Sequence, residues 1–153
     1  MNELSEFADG RWDRFHGLRE CSLADADSQL GPPLDEELLG GRFGGEPAEY
    51  RLYPPTEAAP MGITCWLLDD VVVGVEIRDP EPIPASLTPL ANPDLILESA
   101  LGSSYKQQVW AGRGLVIHRR DKRIGFAFGL APIDPDEWLD DPLRWWRSER
   151  RRR

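Results

Sequence analysis

Apolar and polar residues alternate with a period of two over residues 62–77 and again over 114–130, which is the pattern of strands with one buried side. In the first stretch, GITCWLLDDVVVGVEI, Ile63, Cys65 and Leu67 share a side. Asp69-Asp70 makes the turn, and Val71, Val73, Val75 and Ile77 share a side of the returning strand. In the second, GLVIHRRDKRIGFAFGL, the returning strand points Ile124, Phe126, Phe128 and Leu130 one way and Gly125, Ala127 and Gly129 the other, leaving one side bare enough for close approach. Each stretch opens on a Gly, has an Asp seven residues later (Asp69, Asp121) and carries a second Gly in its returning strand (Gly74, Gly125). Two hairpins of one plan imply an internal duplication.

Other periodicities supply the surrounding elements. Leu4, Phe7, Trp12, Phe15 and Leu18 recur at roughly helical spacing, predicting an N-terminal helix within residues 1–21 that packs on the body. Ser22 can cap a second helix running to Leu30, with Gly31 ending it. Pro32-Pro33 breaks the chain, Leu34–Leu39 can make one or two helical turns, and Gly40-Gly41 with Gly44-Gly45 reads as a surface loop. Tyr50–Tyr53 is a strand. Residues 79–91 form a stiff, Pro-rich connection. Asn92 and Pro93 then read as the start of a helix with Leu95, Ile96 and Leu101 on its apolar face and Gly102 as its end. The strand Gln107–Ala111 corresponds to Arg51–Pro54. Asp134-Pro135 and Asp141-Pro142 each open helical turns.

The expected fold is therefore α+β: two similar helix-strand-hairpin units, residues 22–78 and 92–133, forming antiparallel sheet with helices on one face. An extra helix stands at each terminus, over 1–21 and 134–153, the second running into an Arg-rich tail. The 153 residues suffice for one domain with a real core.

Charge narrows the partners. The net charge of −9 includes a tail in which Arg144, Arg147 and Arg150 to Arg153 face one acid, Glu149, so residues 1–143 carry −14. An acidic body repels nucleic acid and steers basic proteins toward it. The tail beside Trp145 and Trp146 neutralises the body or touches a partner through Arg150, Arg151, Arg152 and Arg153, nucleic acid or a membrane surface being the minor alternative. No stretch is apolar and long enough to span a membrane and the N-terminus lacks signal-peptide character, so a cytoplasmic location is expected.

Candidate chemistry is sparse. Cys21 and Cys65 are the two cysteines and read as buried thiols rather than a disulfide or an acylation site. Aligned at the opening Gly of each hairpin, Cys65 and His118 fall one position out of phase, which sends them to opposite faces and argues against a Cys-His pair. His16 has no partner in the pattern. Asp69-Asp70 and Asp134-Pro135-Asp136-Glu137 lack Ca-loop spacing, GGRFGG lacks the Lys-Ser/Thr of a phosphate loop, and no metal or cofactor is expected.

A repeat of a helix ending in Leu-Gly (Leu30-Gly31, Leu101-Gly102), an aromatic-bearing strand and a Gly-opened hairpin resembles the unit of the beta-lactamase inhibitor protein and of the small outer-membrane assembly lipoproteins. The resemblance covers roughly residues 22–77 and 92–130. It implies a concave sheet that grips another protein, although the secreted inhibitor's disulfides are missing here. The expected function is a non-catalytic bacterial protein-binding module, an inhibitor or immunity-type protein masking a basic toxin or enzyme. Tyr50, Tyr53, Trp66 and Trp110 are the candidate contact aromatics, with core packing the expected fate of at least half, and Asp69 and Asp70 add acidic contacts. The alternatives are a structural or adaptor subunit of a larger assembly, or a small enzyme or ligand-binding protein with a closed pocket.

Overall fold

The computed structural model describes residues 3–43, 46–99 and 101–140, in which eight strands form one antiparallel sheet. The strands are β1 (Leu39–Phe43), β2 (Glu46–Tyr53), β3 (Ile63–Leu68), β4 (Val71–Arg78), β5 (Leu95–Ser99), β6 (Gly102–Trp110), β7 (Leu115–Arg120) and β8 (Arg123–Leu130). Their spatial order is β1-β2-β3-β4-β8-β7-β6-β5, so two up-and-down meanders of four strands meet where β4 pairs with β8. Helices α1 (Glu3–Ala8) and α2 (Leu23–Leu30) complete an α+β fold.

Strand alternation sorts the core into two clusters, one on each face of the sheet. The first contains Tyr53, Cys65, Val75, Ile77, Ile117 and Ala127, covered by Leu4 and Phe7 of α1, Ala26 of α2, and Trp12, Phe15 and Leu18 of the segment between the helices. The second contains Phe43, Leu97, Val109, Val116, Phe128 and Leu130, with Trp138 packed among them. The bare side of β8 is filled from within the chain. A Cβ on Gly129 would stand 2.8 Å from Cζ of Phe15 and 3.2 Å from Cδ2 of Phe7.

Several expectations are corrected. The helix anticipated at residues 92–101 is strand β5: Leu97 and Ser99 point inward while Ile96 and Glu98 are exposed, a period of two that the choice of Leu95, Ile96 and Leu101 as one helical face had obscured. The backbone N–H of Asp94 already donates to the Val109 carbonyl, so the chain enters the ladder directly after Pro93. The second meander thus opens with a strand where the helix-strand-hairpin unit required a helix. The Gly-rich loop is largely strand as well, because Gly40 and Gly41 pair with Glu49 and Ala48 in β1. Leu34–Leu38 is not helical; its backbone is held by a Leu34 N–H bond to the Leu52 carbonyl, and the Glu37 N–H donates to Asp35.

The N-terminal helix stops at Ala8, and the positive φ angles of Gly10 (76°) and Gly17 (99°) bend the following chain while keeping Trp12, Phe15 and Leu18 buried. At the other end Pro135–Asp140 is a 3-10 helix, opened by Asp134, whose Oδ1 accepts the Asp136 N–H. The turns expected at Asp141-Pro142 and the tail Arg150, Arg151, Arg152 and Arg153 lie outside the described residues. In β8 the expected alternation fails at Ile124. A bulge opposite His118/Arg119 turns Ile124 toward the first cluster with Ala127, away from Phe128 and Leu130.

Candidate functional site

A groove of about 530 Å³ runs over β1 to β4, on the sheet face opposite α1 and α2. Tyr50, Leu52, Met61, Trp66, Glu76 and Arg78 line it. Cross-strand register assembles it: Tyr50 opposes Trp66, Trp66 opposes Gly74, and Leu52, Thr64 and Glu76 form the next row. The rings of Tyr50 and Trp66 are 4.8 Å apart at 47°, and Phe43 stacks on Trp66 at 5.6 Å. Two glycines make room. A Cβ on Gly74 would stand 2.5 Å from Cζ of Phe43, and one on Gly41 would stand 3.0 Å from the Trp66 ring.

The Trp66 indole N–H donates to Oε1 of Glu76 at 3.0 Å, which fixes the ring's orientation and holds a carboxylate at the groove floor. Arg78, two residues along the same face, is drawn aside, with its guanidinium carbon 5.4 Å from the Phe126 ring centroid. Met61, 61% exposed, overhangs the rim. The groove therefore combines aromatic surface, a flexible thioether and a fixed carboxylate.

Of the candidate contacts, Tyr50 and Trp66 come together here. Tyr53 and Trp110 do not: both are core residues. Tyr53 lies on the other face, where its hydroxyl donates to Oδ1 of Asp27 at 2.6 Å, and burial with that bond raises its pKa. Asp27 also accepts from Arg51, whose side chain is 10% exposed. The Trp110 indole N–H donates to the Leu90 carbonyl at 2.7 Å. Asp69 and Asp70 are exposed at the β3–β4 turn with φ of 49° and 65°, the left-handed pair a two-residue hairpin turn demands.

The chemistry-bearing residues stay dispersed. Cys65 belongs to the first cluster, whereas His118 sits on the opposite face against Phe126 and Phe128, its Nδ1 2.7 Å from the Ser99 hydroxyl. Cys21 and Cys65 are free, buried thiols. Desolvation pushes Cys21 up to about 11 and raises Cys65 further still. His16 is exposed. Among the described residues no three His, Cys, Asp or Glu side chains converge as metal ligands, and no helix is long and apolar enough to cross a membrane. Met61, Glu76 and Arg78 were missed as groove residues, although the row Thr64–Glu76 follows from the hairpin register once a bulge at Trp66/Leu67 is allowed. No family model matches the chain, and no curated protein or solved structure matches it significantly.

Proposed function

We propose that this chain is a non-catalytic protein-binding module of the inhibitor or immunity type, which covers a basic partner protein with the β1–β4 half of its sheet. The observation that carries the reading is the Tyr50–Trp66 groove with Glu76 at its floor, set in the acidic part of the chain. Residues 1–101 hold twenty acids and six bases, so this part carries −14. A field of that sign steers a basic protein to the surface, and the aromatic groove then supplies the desolvated anchor that area alone does not. In this reading the two meanders are copies of one ancestral unit, although the second has strand β5 where the unit's helix was expected, and the binding mode is the one the resemblance to the beta-lactamase inhibitor protein implies. The separation of Cys65 from His118 supports the absence of a thiol catalyst.

The test is retention of proteins from the chain's own host on the tagged module, followed by binding measurements with the purified candidate. Support requires a basic protein whose activity the module suppresses, whose affinity falls with salt, and which binds the Tyr50→Ala variant at least about ten-fold more weakly. An affinity indifferent to Tyr50→Ala and to salt, or the absence of any such protein, overturns the reading. Circular dichroism of the variant confirms that its fold is kept.

A further inference from the structure

The acidic net charge conceals a segment of opposite sign. Residues 102–130 contain six bases, Lys106, Arg113, Arg119, Arg120, Lys122 and Arg123, against the single acid Asp121, a local charge of +5. The fold gathers part of this charge around a second groove of about 390 Å³, lined by Arg78, Asp79, Leu101, Tyr105, Arg123 and Phe126. Arg78 comes from the end of β4, so both meanders contribute.

Two guanidinium groups lie over aromatic rings of this groove in the same way: Arg78 lines it, and Arg120 on β7 stands beside it. Arg78 lies over the Phe126 ring at 5.4 Å and Arg120 over the Tyr105 ring at 5.1 Å. A guanidinium stacked on a ring is held in place while its N–H edge stays free to donate in pairs, the geometry that matches a carboxylate or phosphate. Among the described residues neither has an ion pair. The one carboxylate in the groove, Asp79, is 3.4 Å from Arg123, between side chains that are 44% and 62% exposed, a pairing worth little. Gly125 leaves room for the Tyr105 ring and Leu101: a Cβ there would stand 2.4 Å from Cδ1 of Leu101 and 3.2 Å from Tyr105.

We infer that the groove lined by β4, β6 and β8 binds the carboxylates of a short acidic protein segment, through the stacked guanidinium of Arg78 within it and that of Arg120 beside it on β7. A polynucleotide would run beyond the patch into the field of residues 1–101, where twenty acids face six bases, and would be repelled along its length. A short acidic segment presents charge only where the cations are. Leu101, 37% exposed beside Tyr105, offers such a segment an apolar contact that a phosphate backbone cannot use. This surface meets the Tyr50–Trp66 groove only at Arg78, which lines both, and goes beyond the function proposed for that groove.

The test uses the full chain, nitrogen-15 labelled at low salt, titrated with acetylated hexaglutamate amide while the amide signals of Gly125 and Tyr105 are followed. A saturable shift is expected. It should weaken about ten-fold or more in the Arg78→Gln/Arg120→Gln variant and less than about two-fold in Lys106→Gln/Lys122→Gln, which removes the same charge outside the groove. Gly125→Val, which changes no charge, should also abolish the shift, with folding checked by the rest of the spectrum. Equal losses in the two charge variants would reduce the effect to general attraction and overturn the site, as would the absence of a saturable shift. Tighter binding of a twelve-residue oligothymidylate at the same ionic strength would overturn the protein ligand in favour of nucleic acid. Tyr50→Ala should leave the titration unchanged, so this site and the proposed function fail separately.

Discussion

Asp27 is the residue on which the polar part of the interior turns. It accepts the Tyr53 hydroxyl at 2.6 Å and an Arg51 guanidinium N–H at 3.2 Å, while Arg51 also donates to the Glu36 carbonyl. Removing the carboxylate strands a buried cation, whereas removing the hydroxyl leaves the ion pair in place. Asp27→Ala should therefore cost about 3 kcal/mol and Tyr53→Phe about 1 kcal/mol in urea unfolding. Equal losses would show that the ion pair adds nothing beyond the hydroxyl bond. The thiols make a pH prediction. With Cys21 raised to about 11 and Cys65 raised as well, both stay protonated in the folded chain after unfolded thiols, near 9, have ionised. The folded state then binds more protons, so the stability their neutrality confers is full below pH 9 and declines as pH rises toward the folded pKa values. Urea stability should therefore fall as pH rises above 9, and a thiol reagent at pH 8 should modify neither cysteine without unfolding. Rapid labelling of the native protein at pH 8 contradicts this.

At the scale of elements, the contrast between Ser22 and Asn92 separates a true helix start from an apparent one. Ser22 and Asp25 form a reciprocal capping box on α2, at 3.1 and 3.0 Å. Asn92, with the same sequence credentials, precedes strand β5 and caps nothing. Ser22→Ala should cost about 1 kcal/mol in thermal or urea unfolding, and Asn92→Ala less than about 0.5 kcal/mol. A loss at Asn92 matching that at Ser22 would contradict the strand. The two hairpins were legible because alternation over six to eight residues on both sides of a tight turn has few other solutions. β5 was not, because five residues at a sheet edge carry too short a pattern to outweigh a cap signal, even though its hairpin partner β6 begins at Gly102, three residues after Ser99. β1 was hidden by Gly40 and Gly41, which weaken an isolated strand but here leave space for Trp66 against the sheet. The same limit applies to the groove: Tyr50 and Trp66 could be named as candidate contact aromatics, but their meeting with Glu76 depends on a register that only the paired strands reveal.

For the whole molecule, the question is whether two meanders joined along one seam unfold separately. The β4–β8 pairing makes the sheet continuous. The segment between α1 and α2 works as a strap across it: the Ala8 carbonyl accepts from Thr56 at 2.6 Å, the Gly10 carbonyl from Ser86 at 2.9 Å, and the Asp13 carbonyl from Arg113 at 2.7 Å. The Leu18 N–H then donates to Leu130 at 2.9 Å, so one short stretch is bonded to the first meander's loop, the Pro-rich connection and the second meander. Phe15 is fully buried against Gly129 of β8, while its neighbours Phe7 and Trp12 share a core with Cys65 and Val75. Opening either half would expose this shared cluster, and the other cluster also joins the meanders, Phe43 of the first packing with Leu97, Val109 and Phe128 of the second. Unfolding should be one transition, with tryptophan fluorescence and far-ultraviolet circular dichroism giving the same urea midpoint. Phe15→Ala should lower stability by about 3–5 kcal/mol and keep the two midpoints together, because the loss falls on both halves at once. Midpoints that diverge in the variant would mean that the strap only decorates one meander, and that the second can stand without it.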